Sequence, residues 1–284
     1  MNKDEYIELH KKLGFNIYIG DEAWLLSKHY AYSFPAIDNI KLSPSDLNFL
    51  KRKRKFIIFQ SEEEKITTSE YVFKGDSYDI NLFKSKIRNQ IRMGLKSCEI
   101  REVSLDCLIK EGLSINRSVL HKHNRTVENL VVSHKWEKYI KEFFSHPDII
   151  IYGAFISSKL VAYSIFVKYN ERYVIVHPFM NYEYSKFCPI NAILYVFINK
   201  IISESSFIDI TYGLEAFFGN ESLDHFKVNM LFKPIERSRV VYFFPPYGMM
   251  INSLFLKILR TMSSVGILKN MYNYYYSLYS SKLS

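Results

Sequence analysis

Three stretches decide the fold: Tyr173-Val174-Ile175-Val176-His177, Pro189-Ile190-Asn191-Ala192-Ile193-Leu194, and Phe207-Ile208-Asp209-Ile210-Thr211-Tyr212. The first and third are short apolar runs rich in β-branched and aromatic residues, the pattern of strands. The second follows a polar turn from Asn181 to Cys188 and opens an apolar helix, Ile190 to Ile202, with Pro189 at its first position. Two strands joined through one helix make a crossover unit, which favours parallel or splayed pairing. Gly213 ends the second strand, and Leu223-Asp224-His225-Phe226-Lys227 and Leu231-Phe232-Lys233 follow. In an α/β sheet the C-terminal strand ends, beside a helix N-terminus, are where an anionic ligand is held.

Upstream, Ile149 to Ile156, Leu160 to Val167 and Arg172 to Phe179 read as three strands joined by hairpin-sized links. Helices are expected at about Leu105 to His121 and Ser133 to Phe144. Residues 79–97 read as a basic helix in which Ile80, Phe83, Ile87, Ile91 and Leu95 keep helical spacing. From residue 98 the expected order is β, α, α, β, β, β, α, β, α, β. Residues 1–75 are mixed, with one short helix and strands at Phe56-Ile57-Ile58-Phe59 and Tyr71-Val72-Phe73. A strand from Arg239 to Phe244 stops at Pro245-Pro246. The tail from Tyr247 to Ser284 carries cations and tyrosines and no acidic residue. This organisation suggests an N-terminal α/β part over 1–97, a catalytic part over 98–245, and a basic aromatic helical tail over 246–284.

The chain has 284 residues, 48% apolar and 16% aromatic, enough to build a sizeable core and too apolar for disorder. Its formal charge of +9 points to an anionic partner, such as a nucleotide cofactor, a nucleic acid or a lipid surface, or to a genome-wide lysine bias. Cys98, Cys107 and Cys188 show no metal or disulfide spacing, and no metal is expected. No apolar run approaches the ~18 residues of a membrane span. The N-terminal sequence leads into a polar helix, so a cytoplasmic protein is expected.

In its order of elements the chain resembles the GNAT-like acyltransferase superfamily, specifically its Fem-like branch. Three features carry the resemblance. One is the basic helix Phe83-Lys84-Ser85-Lys86-Ile87-Arg88-Asn89-Gln90-Ile91-Arg92 with Gly94 before the next strand. Another is the hairpin from Tyr152-Gly153-Ala154-Phe155 to Lys159-Leu160-Val161-Ala162. The third is Pro189 at a helix start, then Asp209 to Gly213 and Phe226-Lys227. The match covers roughly residues 75–245.

The resemblance implies a mixed, partly splayed GNAT-like sheet flanked by helices, with a degenerate N-terminal half and a C-terminal helical tail. It implies transfer of an acyl group, from acetyl-CoA or another acyl-CoA, to the amine of a sugar or cell-envelope precursor. The acceptor would be nucleotide- or lipid-linked. The loop Tyr184-Ser185-Lys186-Phe187-Cys188 lacks the glycines that acetyl-CoA enzymes of the superfamily carry. Aminoacyl-tRNA is therefore the alternative donor, and a non-catalytic relative that binds nucleic acid or membrane is a third reading. Peripheral contact with the inner face of the membrane would run through 246–284.

Acyl transfer to an amine needs a free amine, an activated carbonyl and stabilisation of an oxyanion, with no enzyme nucleophile. The resemblance places Lys227 near the acyl donor. Asp209, an acid within an apolar strand, and Glu215, after the glycine turn, are candidate bases. Tyr212 is a candidate proton donor to the leaving group, on the sheet side opposite Asp209. Val176, His177, Lys186, Phe187, Cys188, Ile190 and Asn191 would line the donor site around the helix N-terminus. Lys84, Arg88, Arg92 and Phe218 would hold the substrate.

Overall fold

The structure, a computed structural model, describes residues 1–62, 67–123, 127–215, 221–247 and 253–261, together with Tyr275 and Leu278. The strands are β1 Ile17–Ile19, β2 Ala23–Leu26, β3 Tyr30–Ser33, β4 Phe56–Ser61, β5 Thr68–Gly75, β6 Glu99–Glu102, β7 Ile149–Ile156, β8 Lys159–Tyr169, β9 Arg172–Met180, β10 Ile208–Leu214 and β11 Lys233–Phe243. The main helices are α1 Lys3–Lys12, α2 Pro44–Lys51, α3 Ser85–Ser97, α4 Leu113–Lys122, α5 Ser133–Phe144, α6 Pro189–Ser205, α7 Glu221–Asn229 and α8 Ser253–Thr261. From residue 98 onward the β, α, α, β, β, β, α, β, α, β order holds.

The chain folds into two compact units that share it in pieces. The first takes Met1–Gly14, Tyr71–Gly213 and His225–Lys233; the second takes Phe15–Glu70, Leu214–Asp224 and Pro234–Ser284. In the first unit the strand order is β5-β10-β9-β8-β7-β6. β6 to β9 are antiparallel neighbours, and β9 pairs with β10 in parallel. β8 runs through the middle with almost every residue buried. That is why Leu160 to Val167 reads as a continuous apolar run. Phe166 stacks on Phe197 of α6 at 3.5 Å. Tyr163, on the other face, packs 6.2 Å from Trp136 of α5 and bonds its hydroxyl to Asn116 of α4. Helices thus cover the sheet of this unit on both faces.

In the second unit the order is β1-β2-β3-β4-β11. β3 and β4 are parallel, while β4 and β11 are antiparallel. Trp24, Ile57, Phe59 and Val240 centre one cluster of this unit, and Phe56, Ile58, Val241 and Phe243 centre another.

Several expected boundaries move. The basic segment begins as a short turn, Ile80–Leu82, and becomes α-helical only at Ser85, because Lys84 is in extended backbone at its N-cap. The helix expected from Leu105 is interrupted by a π-helical turn, Leu108–Gly112, before α4. β11 starts at Lys233, six positions before the expected Arg239, and its first four residues are exposed.

Gly94 lies where α3 meets the start of α6. A Cβ there would stand 2.7 Å from the Ala192 Cβ and 2.8 Å from the Cys188 carbonyl oxygen. Backbone cannot swing aside as a side chain can, so Gly94→Val is expected to lower stability by roughly 1–3 kcal/mol. Urea unfolding checks this; an unchanged midpoint would mean that the two helices separate without cost.

Candidate functional site

The site in the first unit grows out of a fault in one strand. Along β9, Val176 faces Ile165 of β8 and Phe179 faces Tyr163, so His177 and Pro178 together oppose the single residue Ser164. This is a β-bulge, and its first residue is left-handed, with φ 52° at His177. Pro178 brings no N–H to the ladder, which suits an interrupted pairing. On its other side β9 pairs with β10 at Tyr173–Ile210 and Val174–Thr211. The paired register stops there, although β9 continues to Met180 and β10 to Leu214. The two parallel strands therefore part beyond Val174 and Thr211, on the C-terminal side that leads into α6.

α6 follows through the turn Tyr182–Phe187. Cys188 is its N-cap, itself left-handed with φ 52° and ψ 46°, and makes no side-chain cap. Pro189 occupies the first position, so the donors that an N-terminus leaves without intrahelical partners begin at Ile190 and Asn191. Ile190 and Asn191 are both buried. The Asn191 amide reaches the Met230 sulfur at 3.4 Å. Burial raises the Cys188 thiol above its ordinary range, away from nucleophile behaviour. Lys186 is exposed and its ammonium lies 5.1 Å from the Phe187 ring centre.

Lys227, on α7, is 1% exposed. Its ammonium sits 4.3 Å from the Tyr71 ring centre and 5.8 Å from that of Tyr212. Aromatic faces attract a cation that has left water. Lys227 is thus a buried ammonium between rings from β5 and β10. Tyr212 packs edge-on to Phe226 and Phe232, and burial raises its hydroxyl well above the ordinary tyrosine range, so it stays protonated.

Asp209 lies on the opposite side of β10, paired with Lys74 at 2.7 Å and Arg172 at 3.3 Å. His177 turns its imidazole away from α6 and toward α5, where Nε2 meets the Tyr139 hydroxyl at 2.8 Å. On α3, Arg88 donates to the Phe83 carbonyl at 3.1 Å, while Lys84 and Arg92 are exposed. Gly94 holds this helix against α6.

Glu215 belongs to the second unit, its N–H donating to the Ser69 carbonyl at 2.7 Å and its own carbonyl accepting from Arg239 at 2.6 Å. Phe218 lies outside the described residues, as does most of 246–284. No helix among the described residues is long and apolar enough to cross a membrane. Two features escaped the sequence reading. The bulge carried a signal, since a proline inside a strand marks an edge or a bulge. The Gln60–Arg239 pairing described below carried none.

No family model and no curated protein matches the sequence. Solved structures do match. The crystal structure of FemX shares 10% identity over 81% of this chain and 88% of its own, with a TM-score of 0.56. The C-terminal domain of a putative lysylphosphatidylglycerol synthetase from Agrobacterium fabrum shares 10% over 84% and 89%, with a TM-score of 0.54. L-PGS from Bacillus licheniformis shares 12% over 95% and 96%, with a TM-score of 0.53. At such identities the likeness is one of fold: this chain has the GNAT-like fold in its Fem-like form.

Proposed function

We propose that the chain is an acyl or aminoacyl transferase that moves its group onto an amine of a sugar or cell-envelope precursor. The observation that carries this reading is the parting of β9 and β10 beyond Val174 and Thr211, at the start of α6. Parted strands expose backbone donors to a ligand, and the α6 N-terminus favours the phosphates of a donor. In the proposed step the amine attacks the donor carbonyl and a tetrahedral oxyanion forms. Collapse breaks the bond to the leaving sulfur or ribose oxygen. The protonated Tyr212 hydroxyl gives its proton to that atom, the amine's proton passes to water, and Tyr212 takes a proton back from water before the next turnover. Lys227 offsets the negative charge that develops. Asp209, held by Lys74 and Arg172, fixes β10.

Two donors fit. The glycine-free loop from Tyr184 to Cys188 and the exposed cations of α3 favour aminoacyl-tRNA, and the name of the matching lysylphosphatidylglycerol synthetase is in keeping with transfer of an aminoacyl group. A thioester of coenzyme A remains the smaller alternative. Calorimetry with acetyl-CoA and filter retention of aminoacyl-tRNA, run in parallel over a salt series, test the reading. One donor is expected to bind, with the tRNA binding falling steeply as salt rises. Failure of both donors to bind would overturn the proposal.

A further inference from the structure

The second unit holds a site of its own. β4 and β11 are antiparallel and place Gln60 directly opposite Arg239, so both side chains emerge on one face of the sheet. Two residues along, Ile58 and Val241 share that face and lead into the aromatic cluster of Phe56 and Phe243. A polar pair thus ends an otherwise apolar surface. Gln60 is 2% exposed and Arg239 8%.

A cavity of about 160 Å³ opens beside this pair, lined also by Tyr32, Ser33 and Glu215. Its chemistry is specific. The Gln60 side-chain oxygen is buried and has no hydrogen-bond partner. An amide oxygen left so costs about 1–3 kcal/mol unless something donates to it. The Arg239 guanidinium is buried and donates one N–H to the Glu215 carbonyl at 2.6 Å. Burial disfavours its charge, which the nearby Glu215 carboxylate supports. That carboxylate makes no hydrogen bond or ion pair among the described residues.

The lining therefore offers one cation, one anion and one acceptor in want of a donor. A phosphate ester would bring excess negative charge to a lining that is neutral overall, and a simple amine would leave Arg239 facing a second cation. A zwitterion satisfies each group. Its carboxylate faces the guanidinium, and its ammonium donates to Gln60 and Glu215. Size narrows the class, because a cavity of about 150 Å³ accommodates a molecule of about six heavy atoms. We propose that this cavity binds a small free α-amino acid of the size of alanine or serine. The inference does not rest on the transferase reading.

Calorimetry with L-alanine and L-serine tests it, with N-acetylalanine and alaninamide as probes that lack the ammonium and the carboxylate. Saturable binding of a free amino acid is expected, at least tenfold tighter than either blocked form. Glu215→Gln, at a partly exposed position, should weaken binding about tenfold or more. Gln60→Leu should also weaken it, while a urea unfolding curve no weaker than that of the parent shows the fold intact. No heat with either amino acid at millimolar concentration would overturn the proposal. So would equal affinity for the blocked forms, or binding indifferent to both substitutions.

Discussion

Acidification from pH 7 to pH 5 is expected to remove roughly 3–4 kcal/mol of folding stability, because the fold holds two imidazoles neutral. His10 is buried on α1, its Nδ1–H donating to the Tyr6 carbonyl at 2.8 Å and its ring 4.3 Å from that of Tyr6. His177 Nε2 lies 2.8 Å from the Tyr139 hydroxyl. Burial lowers both from 6.5 to about 4, and for His177 the nearby His10 adds to the effect. The unfolded chain therefore binds protons first as pH falls. The stabilisation is complete above about 6.5, is lost progressively below it, and is gone below about 4. At pH 5 the loss amounts to roughly 2 kcal/mol for His10 and somewhat less for His177, which keeps part of its surface in water. Against the roughly 5–15 kcal/mol of an ordinary domain this is a large share. Urea unfolding at the two pH values measures it, and His10→Phe should flatten the dependence by about half. Equal stability at both pH values would refute the assignment.

Replacing Lys227 by methionine is expected to lower transfer by about 10²–10³-fold, the usual effect of removing one group that stabilises a developing oxyanion. Folding should not suffer. Methionine keeps an unbranched chain of similar length against the Tyr71 and Tyr212 rings, so the fold is expected to persist. The two readouts moving apart, activity down and the urea midpoint steady, is the signature sought. Parent-level kcat/KM in Lys227→Met would remove the lysine from the mechanism. Tyr212→Phe, which keeps the ring beside Lys227 and deletes the hydroxyl, should reduce kcat with little change in KM if the leaving group takes its proton there.

The crossover from β9 through α6 to β10 was legible because each element carries its own period and the proline and glycine that bound it are explicit. α3 was legible for the same reason, with Ile87 and Ile91 buried at helical spacing. β1, β2 and β3 were not, since three or four residues are too few to show alternation. The first part of β11 was missed because Lys233 to Glu236 are exposed and polar for the most part, so nothing there repeats. At the site, sequence could name Lys227 but not its burial. That burial comes from Tyr71 and Tyr212, which other strands deliver. The cavity was beyond reach for a like reason: Gln60 and Arg239 become neighbours only through the register of two strands far apart in the chain.

The backbone passes from one unit to the other five times, after Gly14, Glu70, Gly213, Asp224 and Lys233. During synthesis, then, neither unit can finish before the other has been largely made. β5 ends at Gly75, yet β10, its neighbour in the first unit, is not reached until Ile208. A nascent chain leaving the ribosome must carry that half-built edge through nearly half of translation, a task that favours slow maturation and chaperone attendance. The same threading means that a protease nick near the middle of the chain would leave two fragments, each holding parts of both units and neither able to stand alone.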